Sequence, residues 1–280
     1  MKKNLEKYNK PVPRYTSYPP VPDWSHTPTL CKWVNSIKTS NQIDTGVDLY
    51  IHIPYCQELC WYCGCNRTIK KDQVHGKAYV SFLIQEWRLY LEQIEELKIN
   101  SIHFGGGTPN YLLATDFEDL ISELRPYFSA AFFGSIEIDP RTITDEFLTI
   151  MQKNSFNRIS MGIQDFDVEV QTSINRIQPV KLVKELVSKL RLNEVDSINF
   201  DLIYGLPKQS KDTVKKTIED VIELSPDLIA FYSYAHLPES LKNQKLINQD
   251  DLLFGEDKQA LFELGSSLLI EAGYIQIGFD

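Results

Sequence analysis

Four cysteines fall within ten residues: Cys56, Cys60, Cys63 and Cys65. The first three are spaced Cys-x3-Cys-x2-Cys. That spacing lets one loop wrap three thiolates around one face of a cubane iron–sulfur cluster. A filled cubane takes four ligands, one per iron. A loop that supplies three leaves one iron open, and an open iron can act on a bound molecule. No other feature of the chain constrains it as strongly.

The competing reading is a zinc site, which usually takes two separated pairs of ligands. No second pair follows downstream, and His75 is the nearest histidine C-terminal to the loop. Cys65 is one residue from Cys63, a spacing tight for binding a different iron. Two roles stay open for it: a thiol that tunes the cluster from outside, or a participant in catalysis. Cys31 stands alone in Leu30-Cys31-Lys32-Trp33 and reads as a packing residue.

The chain has 280 residues, enough for one α/β domain of barrel size or two small domains. Its net charge of −9 argues against nucleic-acid binding through bulk electrostatics. No apolar run reaches the roughly 18 residues of a membrane span. The basic start, Met1-Lys2-Lys3, has no apolar stretch behind it and is not a secretory signal. The expected location is the cytoplasm, where clustered cysteines bind metal or do redox work more often than they form structural disulfides.

Residues 1–45 are rich in Pro, Tyr and Ser and read as an irregular arm with one helix near 30–39. From residue 48 strands and helices alternate. Strands are expected at 48–53, 101–104, 135–138, 158–163, 197–204 and 227–234, with a further one at 274–278. Helices are expected at 76–98, 117–128, after Thr144, and at 180–192, 212–224 and 256–272. Such alternation implies βαβ units and a parallel sheet. About six units suit an incomplete barrel, whose working residues sit at the C-terminal strand ends. The notable polar and glycine positions fall there: Cys56 onward, Gly105 to Gly107, Glu137, Gln164, Asp201, Gly205 and Ala235.

Gly105-Gly106-Gly107-Thr108-Pro109 at a strand end lets backbone approach a ligand without Cβ in the way; the same triplet also serves a tight turn. It is not a dinucleotide-binding G-x-G-x-x-G. Glu137, flanked by isoleucines, needs a partner. That partner is either a base such as Arg141 or a ligand hydroxyl or amine. Asp201 follows the same logic.

Together, Cys-x3-Cys-x2-Cys and the Gly-Gly-Gly-Thr-Pro segment at the second strand resemble the radical S-adenosylmethionine (SAM) enzymes. The fourth cysteine, the segment Tyr50-Ile51-His52-Ile53-Pro54-Tyr55 and the arm motif Pro13-Arg14-Tyr15-Thr16-Ser17-Tyr18-Pro19 narrow the likeness to the oxygen-independent coproporphyrinogen III oxidases. The expected architecture is therefore α/β, an incomplete (β/α)6-type radical SAM barrel over 46–280 with an irregular N-terminal arm at 1–45. The resemblance implies a [4Fe–4S] cluster on Cys56, Cys60 and Cys63 that binds SAM at its open iron. It implies reductive cleavage of SAM to a 5′-deoxyadenosyl radical. That radical takes a hydrogen atom from a propionate of coproporphyrinogen III. Loss of CO2 and an electron leaves a vinyl group, and two such conversions give protoporphyrinogen IX. Family resemblance further implies an electron donor such as flavodoxin or ferredoxin, an unknown terminal electron acceptor, and a monomer.

Carried over by motif, Tyr50, Tyr62, Gly106 and Glu137 resemble contacts to cluster-bound SAM. Gly107, Thr108, Gln164, Arg176, Asp201 and Ala235 resemble contacts to a second SAM. Cys65 and His52 belong to the family's reaction centre. Family members continue into a largely helical domain that helps cover the substrate. This sequence stops at Gly278-Phe279-Asp280, inside a segment that continues in the family, so the expectation is a truncated chain without that domain. Two other outcomes are an impaired fragment and a haem-binding chaperone of the same superfamily. Such chaperones typically lack both the fourth cysteine and the arm motif.

Overall fold

The computed structural model describes residues 23–24, 27–43 and 46–278. The expected arm motif at 13–19 lies outside the described residues. The first described helix, α1, spans Leu30–Ile43. Cys31 is exposed on it, and its sulfur accepts only a weak hydrogen bond from Asn35 Nδ2 at 3.7 Å, so it is not a packing residue.

Six parallel strands follow, each paired with the next of the sheet: β1 (Val47–Ile53), β4 (Ile99–Gly106), β5 (Phe128–Ile138), β6 (Phe156–Gln164), β7 (Ser197–Tyr204) and β8 (Leu228–Ser233). A two-residue pair, β2 (Tyr55–Cys56) with β3 (Thr68–Ile69), brackets the cysteine loop. The crossovers carry α2 (Val74–Gln93), α3 (Ala114–Leu124), α4 (Asp145–Lys153), α6 (Val180–Leu192) and α7 (Lys211–Leu224). A short α5 (Val168–Ser173) precedes α6, and α8 (Gly255–Glu271) follows β8.

This strand order never reverses. Right-handed crossovers in a sheet of that order place all the helices on one face. A doubly wound sheet needs a reversal, and a barrel wall does not. The strands read accordingly. Ile102 and Phe104 of β4, Ile136 and Ile138 of β5, Ile159, Met161 and Ile163 of β6, and Ile198, Phe200 and Leu202 of β7 are all buried. The alternate positions are small or polar: Ser101, His103, Ser135, Glu137, Ser160, Gly162, Asn199 and Asp201. They bond to one another across the strands. His103 Nδ1 lies 2.7 Å from Ser135 Oγ, Ser160 Oγ donates to Asp201 at 3.1 Å, and Asn199 Nδ2 donates to both Ser160 and Asp201 at 2.9 Å. One face of the sheet is thus a dry core and the other a polar hollow.

Local signals set the helices. Thr144 caps α4, its hydroxyl accepting from Phe147 N at 3.2 Å, with Asp145 and Glu146 in the first turn. Ser210 and Thr213 form a reciprocal cap on α7. The expected helix at 117–128 is instead α3 followed by a 3-10 turn, Arg125–Tyr127, with Pro126 in its first positions. Proline cannot donate the next helical hydrogen bond, and β5 starts at Phe128, earlier than expected. Residues 274–278 form no strand. Tyr274 is held instead by its hydroxyl, which donates to Pro226 O at 2.7 Å.

At the heart of the core, Phe117 of α3 packs on Phe104, Phe147 and Phe156 with ring centroids 5.2, 4.7 and 5.4 Å away. Its side chain is fully buried. Phe117→Ala should lower stability by about 3–5 kcal/mol, read as a fall in the urea midpoint of the cluster-free protein.

Candidate functional site

The cysteine loop leaves β1 at its C-terminal end, through Pro54, and lies over the polar hollow. Two glycines of the β4 end make room for it. A Cβ on Gly107 would sit 2.8 Å from Tyr55 O and 3.1 Å from Cys56 Sγ. Gly106 adopts φ +112°, and a Cβ there would meet the His52 ring at 2.5 Å. The glycine triplet therefore serves close approach: its backbone lies against the loop, with Gly107 N donating to Ile53 O at 2.8 Å and Thr108 N to Tyr55 O at 2.9 Å.

These elements enclose a cavity of about 620 Å³. Cys56, Cys60, Cys63, Cys65, Tyr62, Gly106, Gly107, Thr108, Glu137, Gln164, Arg176 and Asp201 line it. Tyr50, His52 and Ala235 do not. Tyr50 stacks on His103 beside Gly105, and its hydroxyl lies 3.0 Å from His52 Nδ1. His52 Nε2 lies 2.9 Å from Asn66 O. A carbonyl only accepts, so the proton sits on Nε2. The Ala235 carbonyl accepts from Gln244.

Cys60 is buried beneath two guanidiniums, Arg176 at 3.7 Å and Arg141 at 4.0 Å from its sulfur. Both are held by Asp139, with Arg141 Nη2 at 2.6 Å and Arg176 Nη1 at 3.3 Å from Oδ2. Burial alone would raise the Asp139 carboxyl; the Arg176 charge and the Arg141 hydrogen bonds bring it down to about 2 instead. Burial pushes the Cys56 thiol up to about 11 against a 3.3 Å hydrogen bond from Thr108 Oγ1. Cys63, which accepts a hydrogen bond from the Cys65 thiol, falls to about 6, and Cys65 is raised in return. Cys56, Cys63 and Cys65 are therefore inequivalent, and Cys65 interacts with Cys63 directly.

Glu137 does not pair with Arg141. It lies 3.5 Å from His103 Nε2 and accepts from Gly106 N at 3.3 Å. Gln164 takes a left-handed φ of +67° where the β6–β7 register shifts. A bulge of that kind re-aims a side chain at a working edge. Asp201 is raised to about 6 by burial, against hydrogen bonds from Asn199 and Ser160.

Sequence reasoning missed a set of carboxamides. Asn175 donates to Leu59 O at 2.8 Å, Asn243 to Trp61 O at 2.8 Å and Cys63 O at 3.0 Å, and Gln244 to Tyr62 O at 2.9 Å. Four carbonyls of the cysteine loop are thus held from outside. Nothing in the local sequence announces these residues; each partner lies more than a hundred positions away.

The donor set fits a cubane. Three thiols from one loop face the same cavity, with hydrogen-bond donors beneath two of them. Among the described residues no group of His, Cys, Asp and Glu is placed to hold a single metal ion, whereas a cubane asks for one thiolate at each of several irons. With this geometry, the chain belongs to the radical SAM superfamily, whose family model matches residues 50–221. Membership brings a [4Fe–4S] cluster and SAM.

Within that superfamily the chain is similar to oxygen-independent coproporphyrinogen III oxidases. That of Pseudomonas aeruginosa is 36% identical over 281 residues, covering 99% of this chain and 61% of the relative. That of Bradyrhizobium diazoefficiens is 38% identical over 275 residues, covering 96% and 60%. The solved structure of coproporphyrinogen III oxidase (HemN) from Escherichia coli superposes with a TM-score of 0.91 at 35% identity, covering 99% of this chain and 63% of that one. The chain thus spans about three fifths of the length of the relatives it matches. No helix of the described residues is long and apolar enough to cross a membrane.

Gln244 is buried and bridges the cysteine loop to the β8 end, its Nε2 donating to Tyr62 O and Ala235 O and its Oε1 accepting from Leu237 N at 2.5 Å. Gln244→Leu leaves three part-buried backbone groups without their partner, at up to about 1 kcal/mol each. The expected result is amide hydrogen exchange faster by tenfold or more at residues 60–64, with exchange in β5 and β6 unchanged.

Asp165 anchors a separate buried network behind the β6 end. Its carboxylate accepts from Gln209 Nε2 at 2.7 Å and Thr217 Oγ1 at 2.9 Å. Burial raises it from 3.8 to about 6 despite those bonds. The protonated form is favoured by the fold, so its contribution is full below the unfolded value and is lost as pH rises through about 6. Between pH 4 and 7 the protein should lose up to about 3 kcal/mol relative to Asp165→Asn, measured by urea denaturation at each pH.

Proposed function

We propose that this chain carries the cluster- and SAM-binding barrel of an oxygen-independent coproporphyrinogen III oxidase, converting two propionates of coproporphyrinogen III to vinyl groups in the cytoplasm. The observation that carries the reading is a three-thiol loop set over a polar cavity, in a chain at least 35% identical to enzymes of that name along 96–99% of its length. The 46–280 region acts as the barrel and 1–45 as an N-terminal arm.

Bound together, the cluster and SAM supply reductive cleavage of a sulfonium and abstraction of a hydrogen atom. Each propionate, having given up a hydrogen atom, would then release CO2 and pass one electron to a terminal electron acceptor to leave the vinyl group. The protein binds, orients and excludes water. Cys56, Cys60 and Cys63 hold three irons. Arg141 and Arg176 set positive charge against the buried Cys60 sulfur. Glu137 and the Gly106 backbone at the cavity wall offer an acceptor and close approach for the amino and sugar groups of the first SAM, with Tyr50 and Tyr62 beside it. Gly107, Thr108, Gln164, Arg176 and Asp201 mark the side toward a second SAM, with Ala235 outside the cavity wall. Arg176 acts there chiefly by shaping the wall, since its donors already reach Gly162 O, Asp139, Gln178 and Cys60. His52 fixes Tyr50 through Nδ1. Cys65, whose thiol donates to Cys63, stands beside the reacting groups. Electrons come from a flavodoxin- or ferredoxin-like donor, and the chain acts as a monomer.

The test is anaerobic reconstitution followed by assay with reductant, SAM and coproporphyrinogen III. A brown protein with about four irons and four sulfides per chain is expected, releasing 5′-deoxyadenosine and vinyl product. Cys56→Ala, Cys60→Ala and Cys63→Ala should each abolish cluster assembly, whereas Cys65→Ala keeps the cluster and loses activity. Stable haem binding with no vinyl product would replace this reading with that of a haem-binding protein.

A further inference from the structure

We propose that Arg67 is the carboxylate anchor of this cavity, pairing with a propionate of the bound tetrapyrrole. The inference rests on the substrate reading above.

Three guanidiniums line the cavity. Arg141 is committed to Asp139 and Glu58, at 2.6 and 3.3 Å. Arg176 is committed to Asp139 and to the carbonyl of Gly162, at 3.3 and 2.7 Å. Arg67 differs from both. Among the described residues no carboxylate pairs with it. Its one hydrogen bond runs from Nη1 to Cys65 O at 2.9 Å, and its Nε is shut off from solvent with no partner at all. A buried donor without an acceptor is costly, and doubly so on a permanently charged group.

The acidic groups of the wall do not relieve it. Glu137 is turned to His103 and the Gly106 backbone. Asp139 is saturated by the other two arginines, and Asp201 faces Asn199 and Ser160. The cavity therefore presents one guanidinium edge whose complement must arrive from outside. A planar fork of donors matches a carboxylate in two parallel hydrogen bonds. The substrate class named above carries carboxylates as its reacting groups. Arg67 is tethered to the carbonyl of Cys65, so a propionate held there is delivered beside the Cys65 thiol.

SAM also bears a carboxylate, and the experiment separates the two sources. Reconstituted protein, Arg67→Gln and Arg67→Lys are titrated anaerobically with coproporphyrin III, the stable oxidised tetracarboxylate, and with its tetramethyl ester. SAM binding is read from the change in the electron paramagnetic resonance spectrum of the reduced cluster. Arg67→Gln should weaken coproporphyrin III by about tenfold to a hundredfold, the worth of one charged hydrogen-bonded pair. The ester and SAM should bind as before. Arg67→Lys, which keeps the charge but not the fork, should fall between. Should Arg67→Gln fail to load its cluster, the Arg67→Lys titration decides, and unchanged coproporphyrin III affinity there overturns the proposal. Unchanged affinity in both variants overturns it while leaving the enzyme assignment intact. Weakening confined to SAM reassigns the anchor to the methionine carboxylate and overturns the propionate pairing. Absence of coproporphyrin III binding by the unsubstituted protein overturns the substrate reading itself, separately from any effect of Arg67 on SAM.

Discussion

One buried carboxylate joins the parts of the site. Asp139 sits just past the end of β5, with Arg141 and Arg176 on its oxygens and Asn110 locked to its backbone, Oδ1 accepting from Asp139 N at 2.8 Å and Nδ2 donating to Asp139 O at 3.1 Å. Asn110 belongs to the glycine-rich segment, Arg176 to the segment between α5 and α6, and both arginines reach the Cys60 sulfur. Three strand ends and the cysteine loop thus converge on one anion. A lone carboxylate in that position would be protonated by burial. Here the two cations keep it ionised, and the ionised form in turn holds the cations where a thiolate needs them. Removing either sign would leave the other buried without compensation, which is why such clusters fail as a unit.

The polar hollow follows from the same logic at larger scale. A closed (β/α)8 barrel fills its interior with branched apolar side chains. Here the inward positions of four consecutive strands are Ser, His, Glu, Asn, Asp and Gly, linked by cross-strand hydrogen bonds. Those residues contribute little to the main hydrophobic core, which lies on the helical side of the sheet; a smaller cluster of Val170, Ile174, Leu206, Tyr234, Ile247 and Leu252 packs against Trp61 and Tyr62 of the cysteine loop. The hollow is thereby free to accept a polar ligand without displacing structure that the fold requires.

Much of this was legible in the chain. Strand–helix alternation, with apolar runs of β-sheet length between amphipathic helices, specified a parallel sheet, and the spacing of Cys56, Cys60 and Cys63 singled out the loop that lines the cavity. The glycines after β4 were legible as a site of close approach, although not that their neighbours are Cys56 and His52. Other features were hidden for physical reasons. Residues 128–133, Phe-Ser-Ala-Ala-Phe-Phe, lack two-residue alternation and so give no sign that β5 begins at Phe128, although Pro126 is a stop signal for the preceding helix. Residues 274–277 alternate like a strand, but alternation supplies no pairing partner. Nothing in the local sequence marks Asp139 as the centre of the charge network, because its partner Arg176 lies 37 residues away. The carboxamides Asn175, Asn243 and Gln244 carry no periodicity or motif; only the folded path brings them to the cysteine loop.

That path has a temporal side. Each strand of the sheet pairs with the next one made, so the wall can assemble in the order of synthesis. The cysteines belong to its first crossover, but the side chains that fasten their loop come 116 and 182 residues later. On a ribosome the thiols are exposed long before their fastening exists. The chain therefore has an interval in which its most oxidisable groups stand on an unsecured loop, and delivery of iron and sulfide is best timed after the last strand has emerged.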